Sequence, residues 1–389
     1  MRYPKCVSIG LALWSAVSCM GQAPPAATDK PAAATDKPAD ATPPAPPTWS
    51  VGPIDFSGLV DGYYALNFNH PATQYNNLYN FNVKANQFSL NMAKLSMSHT
   101  ADPVGFQVDF GFGRAFDIIH GGEQAPSIFR NIEQAFVSLK PKDAKGLQVD
   151  FGKFVTNAGA EVIETNANWN YSRSLLFGWA IPYYHFGVRA SAPVGAHFNG
   201  GISLTNGWNN VEDNNSGKTV GLSANFTSKK VTWFNNYYVG PEKSTFDADG
   251  FRQKGVRNLY DTTLLLTPSD KANFYINYDY GTDKKTDKGS NTWTGIAFAA
   301  RFAPNSTWAF SPRIEYFNDR DGFSTGVAQK VKEFTLTGEY KMVEGLLARL
   351  EYRRDWSDQP FFDRGNSLAN AKSQTTIALG IVAFFGPKR

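Results

Sequence analysis

Residues 104 to 113 read VGFQVDFGFG. Val104, Phe106, Val108, Phe110 and Phe112 alternate with Gly105, Gln107, Asp109, Gly111 and Gly113. Successive side chains of an extended chain point to opposite faces, so this segment has one greasy face and one wet face. The same period of two recurs at Leu147/Val149/Phe151 against Gln148/Asp150/Gly152 and at Phe274/Ile276/Tyr278/Tyr280 against Asn273/Tyr275/Asn277/Asp279. It is sharpest at Leu346/Ala348/Leu350/Tyr352 against Arg349/Glu351/Arg353. From Ile54 onward no segment sustains a helical period.

Composition agrees with many strands and turns. The 389 residues include 30 Phe, 17 Tyr, 9 Trp, 34 Gly and 30 Asn, against two Cys. Aromatic residues favour strands, and Gly and Asn favour turns. A mean hydropathy of -0.36 excludes a bundle of membrane helices. The net charge of +4 contains no basic block, so no nucleic-acid partner is expected.

Alternation bounded by turn residues predicts sixteen strands: 55–68, 86–99, 104–113, 131–140, 146–155, 183–192, 197–206, 217–227, 230–240, 256–267, 271–281, 291–302, 307–317, 331–341, 345–355 and 374–385. The connections alternate between short ones, such as HTADPV, KPKDAK and TSKK, and long ones. An even strand count with one trimmed and one elaborated rim is the pattern of an outer-membrane barrel. In hydrocarbon every backbone donor needs a partner, so a spanning sheet must close, with its apolar face to lipid and its wet face lining a lumen. The predicted fold class is all-β, a transmembrane antiparallel β-barrel of about 16 strands.

Aromatic positions fit the two interfaces. Trp308 and Tyr316 share one face, roughly 26 Å apart along a strand. A tilt of about 40° brings that to roughly 20 Å vertically, near the expected apolar band. Trp233 with Tyr237 and Trp293 with Phe302 extend the expected girdles. Lys153, following the apolar phase of Phe151, is expected to snorkel to an interface or to sit past the lipid band.

The chain before the barrel divides in two. Arg2 and Lys5 precede an apolar run from Val7 to Val17, a secretory layout too short to span a bilayer, so 1–21 is expected to be a signal peptide. Cleavage is ordinary or, alternatively, Cys19 is lipidated. Residues 22–53 hold a tandem ATDKPA repeat and eight Pro up to Thr48, a Pro/Ala-rich linker whose composition builds no core. Residues 54–389 are the barrel.

Residues 152 to 193, GKFVTNAGAEVIETNANWNYSRSLLFGWAIPYYHFGVRASAP, and NGWNNVEDNNSGK at 206 to 218 resemble the OmpL-like beta-barrel porin family of bacterial outer membranes. The matching features are Gly152-Lys153, Gly159, Glu161, Glu164, Ser172-Arg173-Ser174, Pro182, His185, Gly187 and Arg189, then Asn206-Gly207-Trp208 with Asp213 and Asn214. The resemblance implies an outer-membrane, porin-like barrel with no settled substrate. Many such barrels end on an aromatic residue read by the barrel assembly machinery, whereas Phe384-Phe385 here precedes Gly-Pro-Lys-Arg.

The third long connection, 156–182, is too long for a hairpin turn, and long loops in compact folds are usually functional or disordered. General porins fold their third loop inward, and by analogy this segment is the expected constriction, with Glu161, Glu164 and Arg173 as its charges. Wall candidates on the polar phases are Asp150, Arg189, Arg313, Glu315, Glu339, Arg349, Glu351 and Arg353, whose fixed charges would bias ion passage. The same groups could instead pin the loop to the wall by ion pairs.

No Ser or Cys motif accompanies the five His, so no catalytic, cofactor or metal site is expected, and His185 is read as a hydrogen-bonded wall residue. Asp247-Ala-Asp249-Gly250 and Asp319-Arg-Asp321-Gly322 open like calcium loops but lack the remaining ligands and read as outward turns. GFGRAF at 111 to 116 is read as a strand end without a following helix. The expected function is passive diffusion of small hydrophilic solutes or ions across the bacterial outer membrane, with lipid around the barrel and, by analogy with classical porins, a homotrimer as the assembly. The alternative is a non-conducting barrel acting as an adhesin or envelope anchor.

Overall fold

The computed structural model describes residues 49–123, 127–243, 245, 254–285 and 289–386. Sixteen strands form the wall. They are β1 Ile54–Asn67, β2 Phe88–His99, β3 Val104–Phe112, β4 Ile132–Leu139, β5 Gln148–Val155, β6 Tyr184–Pro193, β7 Phe198–Thr205 and β8 Thr219–Thr227, followed by β9 Val231–Pro241, β10 Val256–Ser269, β11 Ala272–Lys284, β12 Ser290–Phe302, β13 Trp308–Asp319, β14 Gln329–Val343, β15 Leu346–Ser357 and β16 Ser373–Phe385. Each predicted strand is present, with ends shifted by a few residues. Every strand pairs antiparallel with its sequence neighbours, and β16 pairs with β1 from Thr376↔Asn67 to Phe385↔Gly58, so the sheet closes without a free edge.

The two faces differ as alternation requires. Leu95, Phe110, Phe151, Ile202, Ile276 and Leu350 are exposed on the outside. Their neighbours Lys94, Asp109, Asp150, Asn277, Arg349 and Glu351 are buried on the inside. Trp308 and Phe310, Trp233 and Tyr237 are also exposed, and Tyr316 shares the Trp308 face. Trp293 departs from the expected girdle. It shares the inward phase of Ala297 and Ala299, is fully buried, and donates its indole N–H to the Ala180 carbonyl at 3.0 Å. Lys153 does not snorkel. Gly152, at φ +137°, breaks the period just before it, and the ammonium is buried 3.1 Å from Glu123.

Both chain ends of the described barrel lie at the short-turn rim. Ser50–Val51 pairs with the start of β1, and Trp49 packs on Phe385 with ring centroids 4.5 Å apart. Among the described residues the outward connections carry two α-helices: α1, Arg114–Ile119, and α2, Leu175–Trp179. The first corrects the reading of GFGRAF: Gly113, at φ +117°, turns the end of β3 directly into α1. A hairpin of Phe362–Arg364 with Ser367–Ala371 sits in the last outward connection and joins the first, through Ala72 N–H to the Gly365 carbonyl at 2.8 Å. Of the calcium-like turns, 246–253 lies outside the described residues. Asp319 caps its own turn, accepting from the amides of Ser324 (3.0 Å) and Thr325 (2.7 Å).

The apolar core joins inward-facing wall residues, such as Leu59, Tyr63 and Phe317, to outward connections packed on the inner side. Phe81 of 68–87 stacks on Tyr183 and meets Phe177 edge-on, at centroid distances of 5.9 and 5.6 Å. Phe116 and Ile119 of α1, with Ile163, Leu175 and Leu176, belong to the same buried cluster. Barrels of sixteen strands are too wide for wall side chains alone to fill. Loop residues supply the filling here.

Candidate functional site: the third outward loop against the inner wall

The segment 156–183 leaves β5 beside β9. Thr156 Oγ1 donates to the Tyr238 hydroxyl at 3.0 Å, and the Asn236 amide donates to the Asn157 carbonyl at 2.8 Å. Asn168 folds the next stretch on itself, accepting from Val162 N–H at 2.9 Å and donating to the Val162 carbonyl at 2.7 Å. Ser174 caps α2 by accepting from Phe177 N–H at 2.9 Å. These local bonds turn a long connection into a shaped one.

Nine of the predicted residues meet here. Arg313, fully buried on β13, is 2.7 Å from Glu161 of the loop, 3.0 Å from Glu315 and 3.3 Å from Glu333. Glu161 also accepts the Ser174 N–H at 2.6 Å, and Glu315 accepts the Leu176 N–H at 3.2 Å. Arg349 donates to the carbonyls of Thr165 (2.6 Å), Asn168 (2.5 Å) and Asn170 (3.2 Å) while pairing with Glu339 at 2.7 Å. Glu351 accepts the amides of Tyr171 (2.6 Å) and Ser172 (2.9 Å). Arg353 donates to the Arg173 carbonyl at 2.7 Å and pairs with Asp355 at 2.8 Å.

Arg173 turns back on its own loop, donating to the carbonyls of Val162 (2.9 Å), Ile163 (2.6 Å) and Tyr171 (2.8 Å) beneath the Phe81 ring. Burial lowers its proton affinity, and Glu161 and Asp61 offset only part of that; the guanidinium remains charged. Glu164 pairs with Lys94, whose ammonium is also 3.0 Å from Asp109 and 2.6 Å from Glu133. Those three acids are close enough to hold a metal ion, but the Lys94 ammonium stands among them.

Asp150 and Arg189 form a separate pair, 2.8 Å apart across β5 and β6. The Arg189 guanidinium lies 4.4 Å from the Phe154 ring centroid. His185 is a hydrogen-bonded wall residue, its Nδ1 3.0 Å from the Gly207 carbonyl and its ring stacked on Tyr238.

Several participants escape the sequence reading. Asp61 accepts from Tyr171 Oη at 2.7 Å and from Asn91 at 2.6 Å, and Lys94 anchors Glu164. On β1 the inward phase is Leu59, Asp61, Tyr63 and Ala65, mostly apolar because it faces the loop core, so alternation hides it. Glu333 and Asp355 continue the polar phases of Glu339 and Arg353, and that period names them.

The fold and the inner wall find their counterpart among known families. The model for "Putative beta-barrel porin-2, OmpL-like" matches residues 53–385. The chain belongs to the OmpL-like beta-barrel porin-2 family. This porin family is one of the bacterial outer membrane, and the chain is a sixteen-stranded member of it. No curated protein matches the sequence. Among solved structures, the barrel resembles an anion-selective porin from Comamonas acidovorans at 12% identity and TM-score 0.59, covering 85% of this chain and 99% of that one. Outer-membrane-expressed OmpT of Vibrio cholerae is 13% identical, with TM-score 0.57 and coverages of 85% and 97%. The outer membrane channel DcaP of Acinetobacter baumannii is 12% identical, with TM-score 0.56 and the same coverages. At such identities the likeness is one of fold.

Proposed function

We propose that this OmpL-like porin passes small hydrophilic solutes or ions by passive diffusion, through a lumen that segment 156–182 narrows. The observation that carries the reading is the bonding of the loop to the inner wall: Arg313, Arg349, Glu351 and Arg353 hold loop groups from Glu161 to Arg173. Wall charges used in this way fix the loop's position and hence the width left beside it. That two of the similar barrels are named as a porin and a channel supports conduction.

The reading includes no catalytic role, a leader at 1–21 and a linker at 22–53 before the barrel, insertion by the barrel assembly machinery, and a homotrimer, as one Vibrio cholerae OmpT structure is described. Purified protein in planar bilayers should give discrete conductance steps. The apolar cluster of Phe81, Phe177 and Tyr183 within the loops favours a second reading, a barrel plugged by its own loops that serves as an adhesin or anchor. A folded barrel giving no steps would establish that reading over the first.

A further inference from the structure

We propose that the channel favours small cations over anions, and that the carboxylates of Asp261 and Asp279 under the start of the third loop are a main source of the preference. The inference rests on the channel reading above. It comes from asking which inner-wall charges lack a counter-charge.

The bases are largely spent. Lys94 faces three acids, and so does Arg313. Arg189 is matched by Asp150. Arg301 and Arg349 share Glu339, and Lys243 and Arg257 share Asp283, which offsets part of the acid surplus around Lys94 and Arg313. Arg173 gives its donors to backbone carbonyls and keeps its charge, so one positive charge stands against the unpaired acids. Six buried acids remain for which no lysine, arginine or histidine nitrogen lies within ion-pair distance among the described residues: Asp61, Asp261, Asp279, Asp319, Glu351 and Asp363. Asp61 and Glu351 have hydrogen-bond donors, but hydrogen bonds disperse a charge without cancelling it.

Asp261 and Asp279 differ from the other four in facing each other. They are direct partners across β10 and β11, both fully buried on the inner side. Asn236 and Asn277 each donate to Asp261 at 2.9 Å, while the carboxyl oxygens of Asp279 are buried with no hydrogen-bond partner among the described residues other than the facing Asp261. Like charges opposed across a ladder destabilise it, and a buried carboxylate without a partner is costly. A passing cation relieves both costs, and an anion deepens them. A proton shared by the pair halves its charge and leaves the sign unchanged.

The carboxylates act through the field they set up in a low-dielectric wall, which reaches about 10 Å at 0.1 M salt. At that distance one uncompensated charge changes the concentration ratio of counter-ion to co-ion by several-fold, on the order of tenfold at most. The preference is therefore moderate and fades as salt rises.

The test is the reversal potential of the full-length channel in a KCl gradient, for wild type and for D261N/D279N, with heat-modifiable gel migration as the check of folding. Wild type should reverse with the sign of K+ permeation, and the double variant should lose at least about threefold of the K+ to Cl− permeability ratio. Glu351→Gln, which keeps an acceptor for the loop amides, should lower the ratio less and serves if the double variant does not fold. Reversal at zero or with the sign of Cl−, or an unchanged ratio in the folded double variant, overturns the cation preference while conduction stands. Absence of steps in wild type overturns the channel reading and the preference with it.

Discussion

Arg349→Met tests whether the inner wall sets the width of the path. The guanidinium bridges two bodies: three carbonyls of the loop at 2.5 to 3.2 Å on one side, and Glu339 at 2.7 Å on the other. Met keeps much of the aliphatic length and removes every donor. Hydrogen bonds to a charged group are worth about 1.5–3 kcal/mol each, so three represent roughly 5–9 kcal/mol before the freed carbonyls are rehydrated. Lumen water restores much of that, and about 3 kcal/mol of lost tethering is a reasonable remainder. Glu339 is not stranded, because Arg301 still faces it at 2.6 Å. The loss therefore falls on the loop and spares the wall. A tether weakened by about 3 kcal/mol raises the detached fraction of 165–170 by roughly 150-fold. Residues 171–173 stay held by Glu351 and Arg353, so the segment should fray without leaving the lumen. Single-channel records should show added current noise and a higher mean conductance, with gel migration of the folded barrel unchanged. A folded variant whose conductance and noise equal those of wild type would refute the idea that the Arg349-held segment borders the path.

Three other outcomes follow from the same geometry. Deleting 158–180 should raise conductance and admit larger solutes, as read by polymer exclusion; unchanged conductance in a folded deletion would refute the placement of the constriction. Gly152→Ala should lower the temperature at which the barrel unfolds on heated gels, at a cost of about 1–3 kcal/mol, because Gly152 has φ +137° and an added Cβ would stand 2.2 Å from the Ala135 carbonyl. In the outward loop at 206–218, burial slightly raises the Asp213 carboxyl, but Lys218 and the amides of Asn215 and Ser216, both at 2.8 Å, outweigh it and hold the group below its ordinary range. A depressed carboxyl adds stability above its unfolded value, and that stability is lost as pH falls through the folded one. Amide exchange at 213–217, corrected for intrinsic pH dependence, should therefore speed up under acid and not under mild base.

The barrel was legible because the bilayer imposes the pattern. Lipid outside and polar lumen inside force a period of two on each spanning segment, and all sixteen alternations became strands. The misreadings occur where that constraint ends. Trp293 was assigned by its aromatic character, but its phase is that of Ala297, and the indole has a loop carbonyl to meet. Lys153 follows a glycine in the left-handed region, where counting by twos stops. The helix after Gly113 has six residues, too few to display a helical period. The wall half of the candidate site followed from strand phase alone, so Arg313, Glu315, Glu339, Arg349, Glu351 and Arg353 face the loop. Its loop half rested on length and on analogy with other porins. Asp61, Lys94 and the Phe81 segment stayed hidden, because loops 68–87 and 156–183 meet through contacts between residues about a hundred positions apart, and no local period encodes them.

The bonding also bears on how charge counts are read in such a barrel. The buried polar phases of β13–β15 hold Arg313, Arg349 and Arg353 against Glu315, Asp319, Glu333, Glu339, Glu351 and Asp355, so a count of residues already leans to acid. Donor geometry decides which of those groups hold the loop. A guanidinium has five N–H groups in a fixed fork and can serve a carboxylate and several carbonyls together, as Arg349 does. A carboxylate only accepts, so it can hold a loop solely through the few amide N–H groups aimed at it, as Glu351 does. Packing loop backbone against the wall therefore engages arginines more readily than acids, since backbone carbonyls of an irregular loop outnumber its correctly aimed amides, yet it leaves the charge of both in place. Asp261 and Asp279, opposed across β10 and β11, add to a wall already richer in acids, and the proposed cation preference follows from both.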